Sequence, residues 1–99
     1  MRHKRPAGAV DPAIKSGNLL RLRRIEGQLR GLQKMVEEDR YCPDIIAQVA
    51  SVQEALRGVA RELMRNHLTH CAATAIHKGG AAEEAMYGEL LDIIYKHLR

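Results

Sequence analysis

Apolar residues recur at helical spacing in three stretches of this chain, separated by short polar or glycine-containing breaks. In the first, Leu22, Ile25, Leu29, Leu32 and Val36 follow one another at intervals of three and four, a heptad-like seam. Ser16 or Asn18 is placed to cap that helix, which should fade near Asp39-Arg40. The second stretch opens at Cys42-Pro43-Asp44, where proline suits a first helical turn and Asp44 suits the positive end of the helix dipole. Ile45, Val49, Val52, Leu56, Val59 and Leu63 then carry the same spacing, and no proline interrupts the run from Asp44 to His77. Gly58 is its weak point, costing about 1 kcal/mol relative to alanine. Gly79-Gly80 breaks the chain, and a shorter helix from about Ala82 presents Met86, Leu90, Ile94 and Leu98 on one side. Strand-like alternation is absent. The pattern predicts an all-α protein, a long antiparallel helical hairpin followed by a short third helix, with seams that want partners.

Composition adds limits. The chain has 99 residues, no Trp or Phe and three Tyr, so aliphatic side chains must form a small core that oligomerisation would enlarge. Residues 1–16 read as a mobile basic arm and 17–99 as a single helical domain. No apolar run approaches the roughly 20 residues of a membrane span and no signal-peptide pattern opens the sequence, so a cytoplasmic protein with no membrane partner is expected. In such a compartment two cysteines point to ligands or reactive thiols before a structural disulfide.

The net charge is +4, but residues 1–40 hold ten Lys/Arg against five Asp/Glu, whereas residues 41–99 hold six against seven. A basic excess confined to the N-terminal two-fifths suits a polyanion, nucleic acid first and a membrane surface second, against the plainer reading of a solvated basic face.

The chemistry lies in Cys42, His67 and Cys71. His67 and Cys71 are four apart, hence on one helix face about a turn from each other. Cys42 precedes His67 by 25 residues on what reads as the same helix, a separation of roughly 37 Å. One ion cannot bridge that gap within a straight helix, but an antiparallel second copy brings the start of one helix beside the end of the other. Two equivalent sites would form per dimer, each with two sulfurs and one imidazole nitrogen. Such a set suits Cu(I), which accepts three donors. Zinc would complete its shell with water or His70, and nickel would want a further N or O donor. The alternative is that His67 is a satisfied histidine and the cysteines are small apolar residues. His67 continues the Leu56, Val59, Leu63 face, which turns it toward the helical interface and weakens that alternative.

Three segments carry a family resemblance: Arg24-Ile25-Glu26-Gly27-Gln28-Leu29-Arg30-Gly31-Leu32, Glu38-Asp39-Arg40-Tyr41-Cys42 and Asn66-His67-Leu68-Thr69-His70-Cys71. In combination they resemble the copper-sensitive operon repressor family, over about Leu19 to Leu98. The resemblance implies an all-α protomer without a helix-turn-helix. It implies a homodimer with a four-helix-bundle core and a homotetramer built as a dimer of dimers. The metal-free protein would bind operator double-stranded DNA and repress copper efflux genes, and Cu(I) would release it. Carried onto this chain, the metal ligands are Cys42 from one subunit and His67 and Cys71 from the other. Tyr41 and Glu89 would stand behind the histidine, with Glu89 the best match in a loop context about two residues longer than usual. Arg21 falls where the family uses a basic residue for DNA. A second basic position midway along helix two is occupied by Gly58, with Arg57 beside it, and Arg57, Arg61 and Arg65 form an i, i+4 stripe that extends the Arg21 surface or pairs with Glu54 and Glu62.

Relatives in that family sense nickel or cobalt, formaldehyde or sulfane sulfur. The nickel and cobalt members add an N-terminal His that aligns near Val10, and His3 is out of register. The formaldehyde sensors usually lack the second Cys, and the sulfur sensors lack the His. Copper is therefore the expected effector. A nickel/cobalt- or thiol-oxidation-responsive repressor and a copper or zinc carrier without a DNA role stand as alternatives. No nucleophile–base pair with an orienting third group suggests an enzyme.

Overall fold

The computed structural model describes residues 10–98, which are helical throughout except for short connections. α1 spans Pro12–Glu37, α2 Cys42–Asn66, α3 Ala73–Lys78 and α4 Gly80–His97, with a π-helical turn, His67–Ala72, between α2 and α3. No strand occurs among the described residues. The expected all-α architecture of a long hairpin and a shorter last helix is the one observed.

α1 begins earlier than the apolar seam indicates. Asp11 is its N-cap, with Oδ1 accepting from the Ala13 N–H at 2.8 Å, and Pro12 takes the first helical position, where no N–H is needed. Residues 12–16 therefore belong to α1 and not to an arm, and neither Ser16 nor Asn18 is a cap. Residues 1–9 of the expected arm, His3 included, lie outside the described residues.

α1 ends in a paired main-chain motif. The Asp39 N–H donates to the Val36 carbonyl at 3.1 Å and the Arg40 N–H to the Met35 carbonyl at 3.0 Å. Asp39 sits at φ 55°, the left-handed position that glycine usually fills. The turn leads directly into α2, where the Tyr41 carbonyl accepts from the Asp44 and Ile45 N–H groups and so places Cys42 in the first turn. α2 passes through Gly58 without a break.

Contacts divide the described chain into two compact units, Val10–Met64 and residues 65–98, with the division inside α2. In the first unit, Ile25 of α1 packs with Val52 and Val59 of α2, flanked by Ala55. Burial of each such side chain contributes about 1.5–3 kcal/mol. Most of the remaining seam stays open in one chain: Leu22, Leu29, Val36, Val49, Leu56 and Leu63 are exposed, while Leu32 and Ile45 are half-buried. In the second unit, the helix that was expected to run uninterrupted to His77 widens at His67, where the chain switches to i→i+5 hydrogen bonding. Gly79 (φ 73°) and Gly80 (φ 56°) then reverse the chain, so α4 starts at Gly80, two residues before the expected Ala82, and packs against α3.

Candidate metal and DNA sites

His67 and Cys71 both lie in the π-helical turn. The widened turn closes on the Ala73 N–H, which donates to the Leu68 carbonyl five residues back. Thr74 Oγ1 adds a bond to the His70 carbonyl at 2.9 Å. π turns of this kind are rare and occur frequently at functional sites.

The His67 imidazole is mostly enclosed, with 19% of its side chain exposed, and its Nε2 lies 3.0 Å from Glu89 Oε1 on α4. An ionised carboxylate only accepts hydrogen bonds, so in the neutral ring Nε2 carries the proton and Nδ1 keeps its lone pair. A histidine whose far nitrogen is bound by a carboxylate has the arrangement found around metal-ligating imidazoles, where the outer partner fixes tautomer and ring orientation. Cys71 is half-buried and reduced, and Cys42 is exposed and reduced. The donors thus fit a soft metal: thiols without a disulfide, and an imidazole with the unprotonated nitrogen available. Among the described residues, no group of three or more His, Cys, Asp or Glu in one chain converges to hold a metal. Tyr41 is 72% exposed and contributes its main-chain oxygen to the start of α2.

On α4, one turn apart, the Tyr87 hydroxyl donates to the Glu83 carboxylate. That bond, followed by partial desolvation and the charges of Glu83 and Glu84, raises the phenol above its ordinary value of 10.0. This pair involves none of the candidate ligands.

Among the basic residues, Arg21 is exposed on α1 and its Nη1 donates to Asn18 Oδ1 at 3.0 Å. Arg57 forms an exposed ion pair with Glu54 at 3.0 Å, as its spacing allowed, a pair of the kind worth little against solvent. Arg61 and Arg65 continue along α2 at i, i+4 spacing and are exposed. Two features were missed in the sequence. One is the π turn. The other is the burial of Asn18 and Asn66, at 5% and 4% exposure the only described polar residues in the buried class. Asn18 stands four residues before Leu22, on the same seam, and extending that seam backward would have found it.

A family model described as metal-sensitive transcriptional repressor matches residues 15–96. A copper-sensing transcriptional repressor CsoR of Bacillus subtilis is 54% identical over 76 residues, covering 77% of this chain and 73% of the relative. A copper-sensing transcriptional repressor RicR of Mycobacterium tuberculosis is 43% identical over 79 residues, 80% of this chain and 82% of the relative. Among solved structures, the copper-sensing repressor CsoR with Cu(I) from Geobacillus thermodenitrificans is similar with a TM-score of 0.76 and 40% identity, covering 100% of this chain and 95% of that one.

Proposed function

Because this chain belongs to the metal-sensitive transcriptional repressor family, we propose that it is a Cu(I)-responsive repressor whose metal-free form binds operator double-stranded DNA and whose copper-loaded form lets it go, switching on copper efflux genes. It is a transcriptional regulator and not an enzyme. No helix among the described residues is long and apolar enough to cross a membrane.

The observation that carries the proposal is the hydrogen bond between His67 of the π turn and Glu89 of α4, which orients an imidazole four residues before Cys71. Cys42 of one subunit, with His67 and Cys71 of an antiparallel partner, would hold the ion. Cu(I) supplies a soft centre that three such donors satisfy without a fourth. The half-exposed seam residues Leu22, Leu29, Val49, Leu56 and Leu63 support the dimer that this pairing requires, and the homotetramer built from it.

Glu89 ties the imidazole to α4, so displacement of the ring is passed to α4 as a pull on its carboxylate. Tyr41, beside Cys42, would complete the polar surroundings of the ring in the assembled dimer. Movement of α4 would favour an assembly whose basic surface, Arg21 with Arg57, Arg61 and Arg65, fits DNA poorly. Useful regulation asks for a coupling of about 1–3 kcal/mol between the two ligands. DNA is held mainly through phosphates, so affinity should fall steeply with salt.

The test is a mobility-shift titration of the full chain on the DNA upstream of its own coding sequence. Binding by the metal-free protein, abolished by about one Cu(I) per subunit, supports the proposal. Binding that is indifferent to Cu(I), or no binding at moderate salt, sinks it, the second outcome in favour of a metal carrier.

A further inference from the structure

We infer that Asn18 is a positioning residue for DNA binding, its buried carboxamide tying the Arg21 guanidinium to the main chain of α2. The inference rests on the reading of Arg21 as a phosphate contact.

Asn18 occupies a seam position of α1, where an apolar residue would extend the packing of Ile25 with Val52 and Val59. Burying a carboxamide there is unfavourable unless its hydrogen bonds are made. Both ends are used. Nδ2 donates across the helix pair to the Val59 carbonyl at 3.3 Å, and Oδ1 accepts from Arg21 Nη1 at 3.0 Å. Val59 is itself a core residue, 8% exposed, so the acceptor is fixed by the same packing that closes the hairpin. A single buried Asn at a seam position is a known way for paired helices to specify register. Here it does a second thing, because its other end holds an arginine.

The Arg21 side chain runs back along α1 over Gly17, with Nη1 3.9 Å from where a Cβ at that glycine would stand. Held by Asn18 through one of its five N–H groups, the guanidinium keeps four donors for a phosphate. It also has less rotamer freedom to lose when DNA arrives. The orientation of this cation is therefore tied to the axial register of α1 against α2. A slide of one helix along the other withdraws the Val59 carbonyl, frees the carboxamide and removes the stop on Arg21.

The experiment is a double-mutant cycle on the full chain: wild type, Asn18→Ala, Arg21→Ala and the double variant. Each is titrated by fluorescence anisotropy against a duplex from upstream of its own coding sequence, at several salt concentrations, with oligomeric state and helicity checked in parallel. Asn18→Ala should weaken binding about five-fold or more when Arg21 is present and less than about two-fold when it is absent. The slope of log K against log salt should fall by about one phosphate contact in the Asn18→Ala single variant. An equal loss in both backgrounds would mean that Asn18 is only a packing residue and would overturn the inference, as would no loss in either. If Arg21→Ala itself binds like wild type, the phosphate-contact reading fails first and takes the inference with it. Should Asn18→Ala not assemble, Asn18→Ser, which retains a polar group too short to bridge both partners, takes its place in the cycle with the same expected outcomes.

Discussion

The two compact units of the chain are stabilised and equipped in different ways. Residues 10–64 are two regular helices held by aliphatic packing around Ile25, Val52 and Val59, and they carry Arg21, Arg57 and Arg61 at positions that helical periodicity alone dictates. Residues 65–98 bury Ala72 and Asn66, depart from α-helical geometry at His67–Ala72, and orient the His67 imidazole through a polar contact with Glu89. Under the proposed function, the regular spacing of the first unit would present arginines to a repeating polyanion. The second unit would offer His67 and Cys71 to a metal ion that also needs Cys42 of the first. The contrast predicts that the first unit is sensitive to loss of apolar volume and of the buried Asn18 carboxamide, and the second to loss of the His67–Glu89 contact.

The sharpest break comes from the proposed ligands. Cys71→Ser exchanges a soft thiol for a hard hydroxyl without altering the helix, and should eliminate copper-dependent release while the metal-free protein binds DNA within about two-fold of wild type. Loss of metal-free DNA binding in that variant would show that the proposed copper site and the proposed DNA surface are not separable. Cavity formation gives the next largest effect. Ile25→Ala should lower stability by about 2–5 kcal/mol in chemical denaturation, since Ile25 is 4% exposed at the centre of a small core. The same assay should find Glu89→Gln within about 1 kcal/mol of wild type, because the Glu89 side chain is 34% exposed and the substitution keeps its shape. Its cost should appear instead in the copper response, which is expected to weaken by about 10–100-fold, the usual penalty for altering a residue that orients a metal ligand. A Glu89→Gln protein that releases DNA at the same copper concentration as wild type would remove Glu89 from the mechanism.

This contrast also accounts for what could be read from the sequence. Intervals of three and four among aliphatic residues report directly on which faces pack, so both long helices, the Asp39–Arg40 turn and the Gly79–Gly80 break were legible. Resemblance singled out Glu89, which lies against His67 in the structure. Three things escaped. The first turn of α1 has no apolar periodicity, and its evidence was the Asp11-Pro12 pair, a cap followed by the one residue that needs no N–H. The π turn has no compositional signature, since it depends on which carbonyl each N–H selects. Asn18 was read as a cap because asparagine is common there, whereas its seam position is explained by two partners, one of them 41 residues away.

The smallest expected effect tests whether α2 would be as regular in the proposed assembly as it is in one chain. Gly58 has ordinary helical backbone geometry, and a Cβ added there meets nothing within 4 Å. Removing the glycine's conformational freedom should therefore stabilise the protein by about 1 kcal/mol in Gly58→Ala, with DNA and copper responses unchanged. Gly79 and Gly80 also have open space around them, yet both sit at positive φ, so alanine at either should destabilise by a similar amount and serves as the internal control. A Gly58→Ala protein that is less stable than wild type, or that fails to assemble, would mean that another subunit approaches the α2 backbone at this point. The glycine would then be there to admit a neighbour, and the first unit would owe part of its design to the interface as well as to its own core.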